Sequence, residues 1–458
     1  MKTESAMESS RTAIHRSKYS ICVPYKDTDC YLAFSFAKSA FALLTKEQKE
    51  ILDHPSEHSA SELIPALLEL GFLSDEDEYL ALRERLKQEN PRVPRKKLLS
   101  LDICPTMRCN FDCRYCFEAG RRHSGAMDAE TLEATAEFVR KRIEETRASG
   151  LFVKWFGGEP TLELGIIERL SDRLIAIADT HGIPYEAYIQ TNGYLLTQET
   201  AERLEKKGVR TIEVTIDGNR RSHDKLRVLE GGIGTYDRIM ENLFSLRLNA
   251  RLELRCNLHR DNLSAFDDLM HEVERMKQVT HASVVCTPRI IRMPQSLPED
   301  GAFLRESVLT NEEFLRRFHS LYSRNSIEKP GLSELRYFRG IKPAPCRACD
   351  GTGFTIDELG NLYACSMEVG DPSCVIGHVK TYENDNSLGN AAHYAFFRNS
   401  LCPDRERCKG CAILPVCLGR CPRTWKEFYD CDWLKGNLAE AMINAYDCLK
   451  AASDHKNR

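Results

Sequence analysis

The alternation of apolar and polar positions changes period along the chain, and the changes divide it into three stretches. In the first, residues 1–97, two runs of strand character at 19–23 and 31–36 are followed by helical spacing. One helix is expected to begin near Ser61, with Leu63, Leu67 and Leu70 on one face and Gly71 as its stop. Pro65 is tolerable in a first turn, where its missing N–H forfeits no bond. The acidic run 75–78 and the polar run 88–92 read as surface and linker. From 98 to 330, short apolar runs alternate with amphipathic ones. The run 98–103 predicts a strand that ends at Cys104, and Asp128 is a good N-cap for a helix carrying Leu132, Ala136, Val139 and Ile143. Further strands are predicted over 151–156, 185–190, 211–216 and 252–258 and near 282–286. Repeated βα units imply an α/β fold with a parallel sheet and right-handed crossovers, open or curled into a barrel. After about residue 331, Gly and Pro interrupt every long period and cysteines accumulate.

A chain of 458 residues has room for about three domains. No apolar run approaches the roughly 18 residues of a membrane span, and the polar first 20 residues lack the apolar core of a secretory signal. These features imply a cytoplasmic protein with no membrane partner. A net charge of -4 leaves no broad basic face for nucleic acid. Cysteine is the outlier, at 19 residues. In a reducing cytosol, clustered cysteines point to metal rather than to disulfides.

Cys109, Cys113 and Cys116 stand at C-x3-C-x2-C spacing in the loop after the strand 98–103. Three thiolates so close can grip three corners of a cubane iron–sulfur cluster and leave the fourth iron free, whereas a ferredoxin-type site supplies four. Cys104, at the end of an apolar run, is expected to be a small buried residue and not the missing ligand. Polar turns follow the next strands: Gly157-Gly158-Glu159-Pro160, Thr191-Asn192-Gly193 and Thr215-Ile216-Asp217-Gly218. Each alone could be strand-ending punctuation. Strand ends of a parallel sheet share one rim, however, and several such turns there mark a site. Gly231-Gly232-Ile233-Gly234 lacks the ending of a phosphate loop and reads as a connection. Beyond residue 331, Cys408, Cys411, Cys417 and Cys421 form C-x2-C-x5-C-x3-C, which suits either a zinc ribbon or further iron–sulfur ligation.

Together these motifs resemble a radical S-adenosylmethionine enzyme with a C-terminal SPASM domain, over residues 98 to about 435. The cluster loop with Tyr115, the Gly-Gly-Glu-Pro turn, and the order Cys346, Gly360, Cys365, the four-cysteine run and Cys431 carry the resemblance. It implies a partial (β/α)6 TIM-like barrel over 98–330 and a cysteine-rich SPASM domain over 331–458, while the order of strands and helices in residues 1–97 separately resembles the N-terminal α+β leader-peptide recognition domains of such enzymes. It implies that Cys109, Cys113 and Cys116 hold a 4Fe-4S cluster whose open iron binds S-adenosylmethionine. Gly157, Gly158 and Glu159 would meet the methionine ammonium, Arg227 its carboxylate, and Gln190, Thr191, Thr215 and Asp217 the ribose and methionine end. The backbone near Tyr115 and Phe117 would flank the adenine. Two auxiliary clusters are implied, one on Cys346 or Cys349 or both with Cys365 and Cys421, the other on Cys408, Cys411, Cys417 and Cys431. Cys374 and Cys402 depart from the pattern and are read as structural.

The implied activity is maturation of a ribosomally made precursor peptide, by a thioether or another cross-link, with reduced ferredoxin or flavodoxin as electron donor. The first 97 residues would hold the peptide or serve as a packing extension. Rival readings are an anaerobic sulfatase maturase, a peptide epimerase, or an iron–sulfur electron-transfer protein without radical chemistry. The sulfatase reading is weakened because those enzymes place an acidic residue directly after the cysteine that here is Cys365, where this chain has Ser366, with Glu368 two places on.

Overall fold

The computed structural model describes residues 13–92, 98–121, 125–280, 282–291, 304–310, 313–314, 317, 341, 346–389, 391–400, 405–419, 421–422 and 438–456. The chain divides into two compact units, one of residues 1–93, 317–350 and 399–458, the other of 94–316 and 351–398. No helix among the described residues is long and apolar enough to cross a membrane.

In the first unit, β1 (His15–Arg16) pairs antiparallel with β5 (Leu73–Ser74). The strands β2 (Ser20–Pro24), β3 (Tyr31–Ser35) and β4 (Ala40–Leu44) form an antiparallel sheet with β3 central. Period-two alternation sorts β3 between two cores. Leu32 and Phe34 join Tyr79, Leu82 and Leu86, together with Leu414, Val416 and Met442, while Ala33 joins Leu52, Ile64, Leu67 and Phe72. The helix α1 (Lys46–Asp53) starts at Thr45, whose hydroxyl accepts from Gln48 N. The expected helix near Ser61 is α2 (Leu63–Glu69), and Gly71, at φ +69°, follows its end. Ile64 and Leu67 are its buried residues, whereas Leu70, expected on the same face, is the exposed C-cap.

Residues 75–77 lie ahead of the helix α3 (Glu78–Arg92) with Glu76 and Asp77 exposed, as a surface stretch should, but Glu78 opens that helix, and the run 88–92, read as linker, continues it. Asp77 Oδ1 accepts from the N–H groups of Tyr79 and Leu80, so the acidic run starts a helix, where carboxylates meet unpaired donors. Glu78 is buried and accepts from Ser17 Oγ and from Lys18 N, at 2.7 Å for the latter. The helix Leu438–Lys456 closes the same unit, with Tyr25 Oη donating to Asp447 at 2.7 Å.

The second unit is α/β, built on a nine-stranded, parallel-dominated sheet. Six strands alternate with helices: β6 (Leu98–Ile103), β7 (Gly150–Trp155), β8 (Tyr185–Thr191), β9 (Val209–Thr215), β10 (Arg251–Leu258) and β11 (Val284–Ile290). Each pairs parallel with the next, from Leu98 opposite Gly150 to Leu252 opposite Val284. The last lies further along the chain than the sequence pattern placed it. Between β6 and β7 runs α4 (Ala129–Thr146), whose N-cap Asp128 accepts from Thr131 N at 2.7 Å. Its Leu132, Ala136, Val139 and Ile143 are all buried, as the spacing required. On the other edge of β6 the sheet continues with β12 (Gly353–Ile356), parallel to β6, then β13 (Asn361–Tyr363) and β14 (Gly377–His378), both antiparallel to their neighbours. Cys104 N donates to Ile356 O at 2.9 Å, so β12 runs beside β6 up to the start of the cysteine loop.

Candidate functional site

Parallel pairing brings the C-terminal ends of β6 to β10 to one edge, and the polar residues that follow them meet there. The cysteine loop leaves β6 and is clipped to the last residue of α5 (Arg220–Leu226) and to the segment after it. Asp112 N donates to Val228 O at 2.8 Å, Arg114 N to Leu226 O at 3.0 Å, and Phe111 bridges Leu229. Within the loop, Cys116 N donates to Cys113 O at 3.1 Å and Phe111 N to Cys109 Sγ at 3.4 Å. Cys113 is buried, and burial pushes its thiol up to about 12 although the nearby Arg227 charge pulls it down. Metal ligation requires the thiolate, so loading this loop releases protons. Cys104 is fully buried in an apolar cluster with Met107, Phe156, Tyr363 and Val369, as expected of a packing residue. Cys109, Cys113 and Cys116 are the other thiols of this loop, and three donors fit a cluster with one iron left open.

The turn after β7 is pressed against this loop by hydrogen bonds that only glycine geometry permits. Gly157 has φ +113°, and a Cβ on Gly158 would stand 2.0 Å from Arg108 O. Glu159 N donates to Arg108 O at 2.7 Å. The Glu159 carboxylate is buried and accepts from Thr161 N (3.0 Å), Thr161 Oγ1 (2.6 Å), Thr191 Oγ1 (2.6 Å) and Asn192 N (2.7 Å). Burial raises its pKa while these donors oppose the rise. Its side chain therefore ties the ends of β7 and β8 together, and Asn192 Nδ2 donates on to Asn110 Oδ1 in the cysteine loop at 2.7 Å.

A second polar knot forms at the ends of β9 and β10. Tyr115 Oη donates to Asp217 and accepts from Arg227 Nη1 at 2.9 Å and from Asn257 Nδ2 at 3.1 Å. Asn257 N donates to Asp217 Oδ1 at 2.9 Å. Burial opposes the charge of Arg227, but Cys113, Tyr115 and Asp217 together hold its guanidinium firmly cationic, and it lies 5.5 Å from the Phe111 ring centroid. Behind it, Asp217 N donates to His223 Nδ1 (3.2 Å), His223 Nε2 meets Thr235 Oγ1 (3.0 Å), and Thr235 Oγ1 donates to Arg227 O (2.8 Å).

Of the residues singled out from sequence, the three loop cysteines, Tyr115, Gly157, Gly158, Glu159, Thr191, Asp217 and Arg227 belong to this network. Thr215 is buried at the end of β9, Gln190 is half-buried near the end of β8, and Phe117 packs on the cluster around Cys104. Cys365 follows β13 in the second unit, half-buried, with Cys374 nearby in sequence. Cys346 and Cys349, in the first unit, lie with their sulfurs 3.6 Å apart. In the same unit Cys408 and Cys417 lie on the short helices Glu406–Lys409 and Leu414–Cys417, with Cys411 between them and Cys421 beyond. Cys402 and Cys431 lie outside the described residues. Asn110, His223, Thr235 and Asn257 were not foreseen. Asn257 had a signal, since it sits at the C-terminal end of a predicted strand; the others act through tertiary hydrogen bonds.

Residues 103–271 match the Radical SAM superfamily, and this part of the chain is a radical SAM domain, which uses a 4Fe-4S cluster and S-adenosylmethionine. The radical SAM cyclopropyl synthase TigE of Paramaledivibacter caminithermalis is 23% identical over 451 residues, covering 93% of this chain and 88% of that protein. The cysteine-type anaerobic sulfatase-maturating enzyme of Clostridium novyi is 24% identical over 345 residues, covering 71% and 88%. Among solved structures, that of native anSMEcpe with bound AdoMet and Kp18Cys peptide superposes with a TM-score of 0.60 at 18% identity, covering 78% of this chain and 99% of that one. At that identity the likeness concerns the fold.

Proposed function

We propose that this chain is a peptide-modifying radical S-adenosylmethionine enzyme that abstracts hydrogen from a ribosomally made precursor and forms a thioether or another cross-link. The observation that carries the radical part is the three-cysteine loop clipped beside a buried, cationic Arg227 and a glycine turn. The backbone of Gly157, Gly158 and Glu159 offers acceptors to an ammonium, and Arg227 offers a fork to a carboxylate. Glu159 would contribute through its main chain, since its carboxylate is engaged by Thr161, Thr191 and Asn192. Gln190, Thr191, Thr215 and Asp217 would line the ribose and methionine end, and the backbone at Tyr115 and Phe117 the adenine. When bound, the cluster and S-adenosylmethionine supply a 5'-deoxyadenosyl radical that removes a hydrogen atom from the substrate. The chain's own work is to hold these groups in place and keep water out.

The peptide part rests on the cysteine pattern of residues 346–431 and on the maturase among the relatives. On this reading residues 98–330 are a partial (β/α)6 barrel, residues 331–458 a SPASM domain whose cysteines hold two auxiliary clusters, and residues 1–97 a leader-peptide platform. Reduced ferredoxin or flavodoxin in the cytoplasm would deliver electrons. Formylglycine formation, the second reading, is favoured by the similarity to the Clostridium enzyme but disfavoured by Ser366 after Cys365. Anaerobically reconstituted protein with reductant and S-adenosylmethionine is expected to release 5'-deoxyadenosine, and Cys113→Ala to release none. Co-expression with a small Cys-rich peptide encoded nearby is expected to lower the peptide's mass by about 2 Da per cross-link. An unmodified peptide would remove the maturase reading, and absence of deoxyadenosine the radical one.

A further inference from the structure

Beyond the cluster cysteines, three side chains of different type converge in the segment that follows β13. Glu368 ends the turn Ser366–Glu368, Cys374 ends the turn Pro372–Cys374, and His393 lies on the helix Ala391–Arg398. Among the described residues, their donor atoms all fall within 4.8 Å of one another, and His393 Nε2 is 3.1 Å from Glu368 Oε2. A tetrahedral zinc ion, with Zn–S near 2.3 Å and Zn–N near 2.0 Å, sets its donors about 3.3 to 3.6 Å apart, so little rearrangement separates this trio from a coordination shell. We propose that Glu368, Cys374 and His393 bind one borderline divalent cation, zinc by the donor set.

The carrying argument is burial of a carboxylate in mixed company. Glu368 is only 2% exposed, its Oε2 faces His393 Nε2 at 3.1 Å, and the Cys374 thiol joins them within a 4.8 Å span. Imidazole, thiolate and carboxylate together are a donor set that suits zinc. The backbone holds the ligands independently of any ion. Glu368 N donates to Cys365 O and Cys374 N to Asp371 O, both at 3.0 Å. Arg121, which follows the cysteine loop, donates to Met367 O at 3.1 Å and Val369 O at 3.3 Å. Val369 and Cys374 pack on the apolar cluster of Cys104, Met107 and Phe156, so the trio is built onto the base of the cysteine loop. The three residue types stand in no close sequence motif, which is why Cys374 alone reads as structural.

The test is elemental analysis of the anaerobically purified, cluster-loaded protein, with zinc K-edge absorption to identify ligands. About one zinc per chain is expected beyond the iron, with one sulfur near 2.3 Å and the other ligands nitrogen or oxygen near 2.0 Å. Cys374→Ser and His393→Ala are expected to lose the zinc while iron per chain and far-ultraviolet dichroism stay unchanged, and Glu368→Gln to retain it only weakly. Absence of zinc, zinc unaltered in the variants, or an all-sulfur shell each overturns the proposal. An all-sulfur shell would mean that zinc had entered the cluster cysteines. None of these outcomes bears on deoxyadenosine release, so the radical reading stands or falls separately.

Discussion

His223 has its two ring nitrogens assigned by their neighbours. Because Nδ1 accepts from Asp217 N, the proton sits on Nε2 and points to Thr235, which in turn donates to the carbonyl of Arg227. Burial holds the imidazole pKa well below its usual value, so the folded protein keeps it neutral. The unfolded chain takes up a proton below about pH 6.5. This group's stabilisation is therefore complete above that pH and is lost as pH falls below it. Thermal unfolding followed from pH 7.5 to 5.5 should show a shallower decline for His223→Asn than for the natural chain, with stability at pH 7.5 lower by about 1 kcal/mol for the lost Thr235 bond. The residue scale also shows where sequence reading stops. Cysteine spacing and the Gly-Gly-Glu turn are local signals, and they identified the loop and its partner turn. Resemblance alone places Glu159 at the methionine ammonium, and the bonds its carboxylate accepts from Thr161, Thr191 and Asn192 are ones that only folding brings together.

At the scale of elements, the turn after β7 is the tightest joint in the site. An alanine at position 158 would drive its Cβ into the Arg108 carbonyl, an atom of the main chain that cannot swing aside. Gly158→Ala should cost about 3 kcal/mol by displacing the turn from the cysteine loop. Iron per chain after reconstitution and the thermal midpoint should fall together, whereas Gly165→Ala, whose Cβ meets nothing within 4 Å, should leave both unchanged. The strands β6 to β10 and the helix α4 were legible because their periods are clean and Asp128 is a strong cap. The helix α3 was not. Its apolar stripe of Tyr79, Leu82 and Leu86 lies between an acidic run and a Pro-containing polar run, and both ends looked like loop until Asp77 was seen capping it.

On the scale of the molecule, chain-distant segments complete the second unit. Arg142 of α4, 2% exposed, donates to Tyr382 Oη (2.8 Å), Asp385 Oδ1 (2.6 Å) and Gly351 O (3.0 Å), and lies 4.9 Å from the Phe354 ring centroid. Arg142→Ala should cost about 2 to 3 kcal/mol, chiefly by leaving the buried partners unpaired, since Asp385 is half exposed and screened. Hydrogen exchange should rise in residues 351–390 and little in β8 to β10. No local pattern announces that residues 353–356 will lie beside residues 100–103, because a pairing so distant in sequence leaves no period to read.

That pairing sets a clock on the maturation of the protein. A ribosome moving at about 5 to 20 residues per second delivers residue 356 roughly 10 to 50 s after residue 103. Throughout that interval the strand that carries the cysteine loop has one unsealed edge, open to any other strand that can pair with it. An iron centre inserted early would enter before β12 has arrived to seal the free edge of β6.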